Sequence, residues 1–536
     1  MKTKIKVLLL AASMVPVLSG CYEDKGNYTY SEIEEITVTF PDHMEAMQGA
    51  PIVFAPVVES SVKGVIKPDD PDYEYSCQFQ NQWYDEDGFS HQWQEVNPEG
   101  TQAVNHTVNL SAKNYTVWYK VINKTTKVAR NFQTNFNVKS ATSEGWMVLC
   151  KDGADERARL DMIYTDASGK DCVFANIIKE NSIKMYKPHS LMFLPSMYAA
   201  GDQIFITCDG PGYLLNAQTL AVNSSGNLQN KFITPAIASD IICYGAPYVG
   251  TGMKEDFTVC VTVNGDAYTI MTNSAGASFE YCMNSDKLGN DPTYKLAPFI
   301  GASETTGSRC CLLYDNTNKR FMGCCYTATG SATDRLLFPL VKPENALFDF
   351  TTGLDMVDMT VSTFSGGDVF SILQRPDGHR VVYVINIAGY ARLNSFRQNG
   401  YYDNITSPDF DTAVDYAAHP QYNYMFWCKG NKVYSYNYVL GTIADEITLP
   451  AGETTSLVKF NRYRNLLMNP AYVKFKDDPE FLDMEKELIV GSSDGSENGG
   501  VVRFYKVSNH GKLELHKEHK GLGQEIVDVV YRERPL

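Results

Sequence analysis

The chain has 536 residues, 44% of them hydrophobic and 21% charged, with a formal net charge of −16. That length predicts two or more domains. The acidic balance excludes nucleic acid as a partner, because phosphate binding needs clustered Lys and Arg, and it excludes lying flat on an anionic membrane.

The chain opens MKTKIKVLLLAASMVPVLSGC. Lys2, Lys4 and Lys6 make a cationic start, Val7 to Leu18 is a short and mostly apolar run, and small residues precede Cys21. This is the layout of a secretory signal, too short to span a membrane as a helix. Plain signal cleavage needs small residues but no cysteine after them. Leu18-Ser19-Gly20-Cys21 resembles the bacterial lipoprotein box, in which the cysteine thiol is acylated and becomes the first residue. Residues 1–20 are therefore expected to be removed, which takes away three lysines and leaves a formal charge of −19. Several acyl chains on one residue anchor stably, where a single chain anchors marginally. Glu23 and Asp24 follow at once, and an acidic pair there resembles the export signal to the outer face of the outer membrane.

Residues 21–30 read as a polar tether. Residues 31–140 read as a β-sandwich of immunoglobulin type, with strands at ITVTF (36–40), PIVFAPVVE (51–59), YEYSCQF (73–79), SHQWQEV (90–96), HTVNL (106–110), NYTVWYKVIN (114–123) and NFQTNFNVK (131–139). Tyr115, Val117, Tyr119 and Val121 alternate with outward residues, the period of a half-buried strand.

Residues 145–536 repeat one unit: apolar strand, tight turn, apolar strand. The seven copies turn at Gly153, Gly210, Gly265, Asn316, Gly378, Gly430 and Gly495. Their spacing of about 50–65 residues is the period scale of a propeller blade. Short strands carrying an aspartate precede several hairpins: SDIICYG with Asp240, MVDMTV with Asp358 and AVDYAA with Asp415. The same pattern, IVDVVY with Asp528, stands far down the chain with no hairpin after it, and the first hairpin at Trp146 has no such strand before it. A closed ring explains both absences, with 525–531 entering the first blade beside Trp146–Leu149 and covering its open edge. The expected fold is all-β, an immunoglobulin or PKD-like (polycystic-kidney-disease repeat) sandwich followed by a seven-bladed propeller.

The hairpin YTVWYKVINKTTKVARNFQTNFNV (115–138) resembles the last hairpin of PKD repeat domains. Together with LSGCYEDKGNYTYSEIEEITV (18–38) and SEGWMVLCKDG (143–153), it makes the chain resemble the PKD-like lipoproteins of Bacteroidota. The resemblance implies an accessory of an outer-membrane uptake locus, facing the cell exterior. The implied partners are a TonB-dependent transporter and a capture lipoprotein, and the implied ligand is a glycan or a peptide. It carries over no catalytic residue.

The chain contains no HExxH motif, and no cofactor or metal ion is expected. His516, Glu518 and His519 lack zincin spacing and read as a solvated connector, and GSSDGSENGG (491–500) reads as a loop. The acidic stretches KPDDPDYEY (67–75) and YDEDGF (84–89) lack EF-hand spacing and read as solvated loops. Cys310-Cys311 and Cys324-Cys325 are doublets in strand-like text and, like most of the cysteines, read as small buried hydrophobes; a disulfide between the two doublets in an oxidising compartment is the alternative. Two candidate binding sets remain. Tyr401, Tyr402, Tyr422, Tyr424 and Trp427 cluster in one stretch and offer rings for stacking on sugars. Asp240, Asp358, Asp415 and Asp528 would approach the channel if their strands are innermost; the alternative is that they bond backbone N–H groups. The expected function is ligand or partner binding without catalysis. A propeller glycoside hydrolase or lyase with a carboxylate pair, or a purely structural scaffold, are the alternatives.

Overall fold

A computed structural model describes residues 34–42, 44–84, 89–107, 110–166, 168–194, 203–217, 219–245, 257–271, 278–302, 310–325, 336–388, 396–461 and 479–533. Cys21, its signal and the tether lie outside the described residues. So does the acidic core of YDEDGF. The chain divides into two compact units, one of Met1–Met44, Ile52–Thr107 and Tyr115–Phe136, the other of Glu45–Pro51, Val108–Asn114 and Asn137–Leu536.

The first unit is a β-sandwich. Ile36–Thr39 pairs antiparallel with Val57–Ser60, which also pairs with Gly64–Val65. In the larger sheet Tyr73–Tyr84 lies between Ser90–Glu95 and Lys113–Asn123. The predicted alternation holds: Tyr115, Val117, Tyr119 and Val121 are all buried, while Trp118 points outward. Phe79 packs on Tyr115 and Phe136 at 5.8 and 5.2 Å, and Tyr119 donates its hydroxyl to the Gln102 carbonyl at 2.7 Å. One departure concerns PIVFAPVVE, which is two strands, Ile52–Phe54 and Val57–Ser60. Pro56 explains the break, because proline has no N–H to give a ladder. In KPDDPDYEY, Asp70 and Asp72 pair with Lys63 at 3.0 and 2.7 Å.

The second unit is a β-propeller. Among the described residues it comprises seven blades of three or four antiparallel strands. Blade 1 is Glu525–Arg532, Gly145–Asp152, Arg157–Thr165 and Asp171–Phe174. Blade 2 is Tyr186–Leu194, Gln203–Asp209 and Tyr213–Leu215. Blade 3 is Ile241–Gly245, Phe257–Thr262 and Ala267–Met271. Blade 4 is Gly301–Ala302, Cys310–Asp315, Arg320–Cys325 and Phe338–Pro339. Blade 5 is Asp355–Ser362, Asp368–Gln374, Arg380–Asn386 and Arg397–Tyr402. Blade 6 is Asp415–Ala418, Tyr424–Lys429, Lys432–Asn437 and Thr442–Thr448. Blade 7 is Thr454–Lys459, Leu488–Ser493, Gly500–Val507 and Leu513–Leu522.

Seven apolar layers lie between successive blades, and the seventh joins blade 7 to blade 1 through Ile489, Val502, Trp146 and Val148. Each second strand feeds two layers, because its side chains alternate between faces. In blade 4, Cys311 and Leu313 face blade 3 while Cys310 and Leu312 face blade 5. Burial on both faces is why these strands read as unbroken apolar runs. The closing strand pairs as the sequence predicts, with Trp146 opposite Tyr531 and Leu149 opposite Asp528. Six of the seven predicted turn residues are glycines at positive φ. The exception is Asn316. In that turn Lys319 takes the positive φ of 53°, and Asp315 accepts the N–H groups of Thr317 and Asn318.

Candidate ligand cavity at the centre of the ring

Glu525–Arg532 in blade 1 and the opening strand of every other blade contribute to one central cavity of about 290 Å³. The wall runs through Asp528 and Tyr531, Ser190 to Phe193, Cys243 to Gly245, Ala302, Val361 to Thr363, Ala418 and Lys459 to Asn461. These strands are therefore innermost, and the cavity sits toward the ends at which they finish.

Side chains on the inner strands tie neighbouring blades together. Asp415 accepts the Val458 N–H at 2.8 Å and Asp528 accepts the Leu191 N–H at 2.9 Å. Ser456 donates to the Ile526 carbonyl at 2.6 Å, and from the second strand of blade 2 Thr207 donates to the Ile242 carbonyl at 3.1 Å. Asp358 accepts its neighbour Met359 N–H at 2.7 Å and faces the N–H of Tyr416 on blade 6. A β-bulge sits just before Asp358 and Asp528, and turns these side chains sideways along the ring. Between blades 3 and 4 and between 4 and 5, backbone approach replaces the side chain. A Cβ on Gly245 would lie 2.3 Å from Ile300, and one on Gly301 would lie 2.7 Å from Val369.

Three of the four sequence-predicted carboxylates share this register. Asp240 does not. It precedes Ile241–Gly245 by one residue and accepts the Gln229 amide at 2.7 Å, while Cys243 takes the position after the bulge. The alignment of SDIICYG with IVDVVY was wrong by three residues, since an aspartate in short apolar text carries no register of its own. Burial pushes the Asp358 carboxyl up to about 6, and burial together with the neighbouring Asp358 charge holds Asp415 well above the usual carboxylate range. Only Asp528 of the three lines the cavity, where it pairs with Lys459 at 2.6 Å.

The five aromatic candidates do not form a platform. Trp427 is wholly buried between Phe410 and Tyr434, with its indole N–H on the Pro408 carbonyl. Tyr424 is buried in the layer between blades 6 and 7. Tyr401 and Tyr402 lie on the fourth strand of blade 5, where Tyr401 packs on Tyr383 and Tyr402 on Tyr438. Tyr422 stacks on His419 at 4.7 Å. Rings at alternate strand positions point into the layers between blades, so no common surface collects them.

Two polar groups in the cavity wall were missed. Asn461 is 6% exposed; its Oδ1 accepts the Tyr531 N–H at 3.1 Å, and its Nδ2 is buried with no acceptor. The Tyr244 ring stacks on Phe205 at 5.0 Å, and its hydroxyl is buried without a partner. A buried donor left unmade costs about 1–3 kcal/mol. Asn461 lines the cavity, whereas the Tyr244 ring packs in the layer between blades 2 and 3. Glu485 and Glu533 also line the cavity. By contrast Arg503, 2% exposed, is fully engaged by Glu453, Glu518 and Ser492, and Arg159 by Asp161 and Asn498. The His516–His519 segment is the outer strand of blade 7 and not a connector, with His516 on Glu487 and His519 near Asp171. No cluster of three or more metal-ligating side chains occurs among the described residues.

Among solved structures, the chain is similar to a quinonprotein alcohol dehydrogenase-like protein from Bacteroides thetaiotaomicron at 11% identity, covering 92% of this chain and 97% of that one, with a TM-score of 0.38. The β-propeller domain of Myceliophteria thermophila Cps50 (Swd1) matches at 10% identity over 68% of this chain and 97% of that one, TM-score 0.38. Apo AztD from Citrobacter koseri matches at 11% identity over 86% and 98%, TM-score 0.33. No curated protein sequence matches the chain. The model of the PKD-like family matches residues 21–188, a stretch that starts at Cys21 and runs through the sandwich into blade 1 as far as the opening of blade 2.

Proposed function

We propose that the chain is a lipid-anchored surface protein of the outer membrane that captures a solute in the centre of its propeller. In this reading the sandwich is a stalk, and the protein acts beside a TonB-dependent transporter and its capture lipoprotein. The observation that carries it is the central cavity, whose wall includes Asn461 with its buried, unpartnered Nδ2 donor. Leu18-Ser19-Gly20-Cys21 supports the anchor, and the family match that starts at Cys21 agrees with it.

Two experiments test the proposal. Labelling with an alkynyl palmitate is expected to mark the protein, and Cys21→Ala is expected to abolish both label and membrane retention. Tagged protein extracted from outer membranes in mild detergent is expected to bring a transporter with it. A soluble, unlabelled protein, or a solitary one, overturns the corresponding half of the reading.

A hydrolase reading finds one specific observation in its favour: Asp358 and Asp415 are neighbouring carboxyls held above the usual range. Both are bound to backbone N–H groups and neither lines the cavity, which favours a tethering role. Turnover of a glycan that is lost in Asp358→Asn would reverse that preference.

A further inference from the structure

We infer that the outer face of the sandwich's larger sheet binds a neutral glycan chain through Trp118 and Trp93. The inference goes beyond solute capture and does not depend on the propeller cavity. In Lys113–Asn123 the side chains of Tyr115, Val117, Tyr119 and Val121 are buried, so Trp118 stands on the opposite face, where it is 37% exposed. Gln78 on the middle strand Tyr73–Tyr84 lies opposite Trp118. Gln80, two residues on and on the same face, lies opposite Trp93 of Ser90–Glu95. The two indoles therefore meet over the middle strand, with 6.1 Å between ring centroids and 81° between planes. A right-angle contact steadies both rings without covering both faces of either. By contrast Trp146 and Trp427 in the propeller are buried.

Amides surround the rings. Gln78 and Gln80 are exposed, and their side chains make no hydrogen bond among the described residues. On the neighbouring strand Ala129–Lys139, Gln133 and Asn135 stand on the face away from buried Phe136 and Val138, exposed and equally unbonded. Glu95, across from Gln78, is turned to the backbone and accepts the N–H groups of Cys77 and Asn97 at 3.2 and 2.9 Å. Lys120 stands at the border, opposite Ser76. A pyranose complements both parts of this patch. The C–H bonds of its apolar face carry partial positive charge and rest on the negative face of an indole. Its hydroxyls both donate and accept, so they answer both halves of an amide. Gln78 and Gln80 are roughly 6.6 Å apart along the strand, the scale of one sugar unit. A proline-rich chain also docks on aromatic rings, but its prolines offer acceptors only and leave each amide oxygen unmet.

The test is native electrophoresis of the full mature protein through gels cast with mixed-linkage β-glucan, xylan, galactomannan or amylopectin, with a proline-rich peptide titrated separately by tryptophan fluorescence. Retardation in at least one gel is expected, and no fluorescence change with the peptide. Trp118→Ala is expected to weaken glycan binding roughly tenfold or more with an unchanged melting temperature, because the ring is exposed. Gln78→Ala combined with Gln80→Ala is expected to weaken it roughly threefold to tenfold. Should Trp118→Ala lower the melting temperature, the double glutamine variant decides, since neither amide holds another group of the protein. Free migration in all four gels overturns the inference. Retardation undiminished in the variants puts the sugar elsewhere on the protein and overturns the site. Binding of the proline-rich peptide without any glycan overturns the class of ligand.

Discussion

The Asp528 carboxylate accepts the backbone N–H of Leu191 at 2.9 Å, a bond between residues 337 positions apart that joins the inner strand of blade 1 to that of blade 2. Its other oxygen holds Lys459 of blade 7 at 2.6 Å. One side chain thus bridges three blades at the seam of the ring. Asp528→Ala is expected to cost about 2–4 kcal/mol, since it strips a partner from a part-buried amide and from a lysine together. Asp528→Asn keeps an acceptor for Leu191 and is expected to lose about half as much. Denaturant melts of the two variants check the order.

Asp358 makes a pH signature. Its folded carboxyl is pushed up to about 6, above the unfolded value near 3.9. Below about pH 4 both states are protonated and the group is neutral in effect. As pH rises toward 6 the unfolded state releases its proton first, so stability falls by about 3 kcal/mol across that window and stays low above it. Asp415 acts in the same direction. Asp358→Asn is expected to flatten the fall and to raise the melting temperature at pH 7. A variant less stable than wild type at pH 7 would contradict the assignment.

Deleting residues 525–532 is expected to abolish cooperative melting of the propeller. The edge of Gly145–Asp152 would lose its partner, and the layer between blades 7 and 1 would lose Ile526 and Val529. An exposed edge of that kind invites pairing with other chains, so light scattering should rise as near-ultraviolet dichroism is lost.

Thiol titration reads the cysteines. Of the twelve beyond Cys21, ten are buried, and Cys172 and Cys243 are half-buried. Burial raises the Cys150, Cys243 and Cys260 thiols, so they are poor nucleophiles in the native state. A native sample is expected to show one fast thiol, Cys172. Cys310 and Cys325 face each other across the blade 4 hairpin with sulfurs 2.9 Å apart. An unfolded sample prepared from protein secreted under oxidising conditions is expected to titrate ten thiols, and one refolded under reductant twelve.

The propeller was legible because its second and third strands repeat a strong local signal. Apolar runs such as CCLLYD and RFMGCC flank a turn residue, and both faces of each strand are buried. Ring closure was legible from two complementary defects, a lone IVDVVY and a first hairpin without a leader. The cavity was not. Its wall takes between one and four residues from each of seven strands spread over more than 300 positions, and no local pattern joins Tyr244 to Asn461. Trp427 was misjudged for the same reason that the strands were found. In a blade buried on both faces, alternation no longer separates inside from outside. Arg159 and Arg503 left a signal that went unused, a guanidinium in the middle of the apolar runs ARLDMIY and VVRFYKV. Such a residue cannot be buried without acids, and Asp161 and Glu453 supply them.

The pairing of Glu525–Arg532 with Gly145–Asp152 also sets a clock for biogenesis. A propeller of this topology cannot latch while Glu525–Arg532 is still on the ribosome. Until then the first blade lacks its inner strand, and the ring lacks its clasp. Closure therefore waits until all seven hairpins have been made, however early the single blades form.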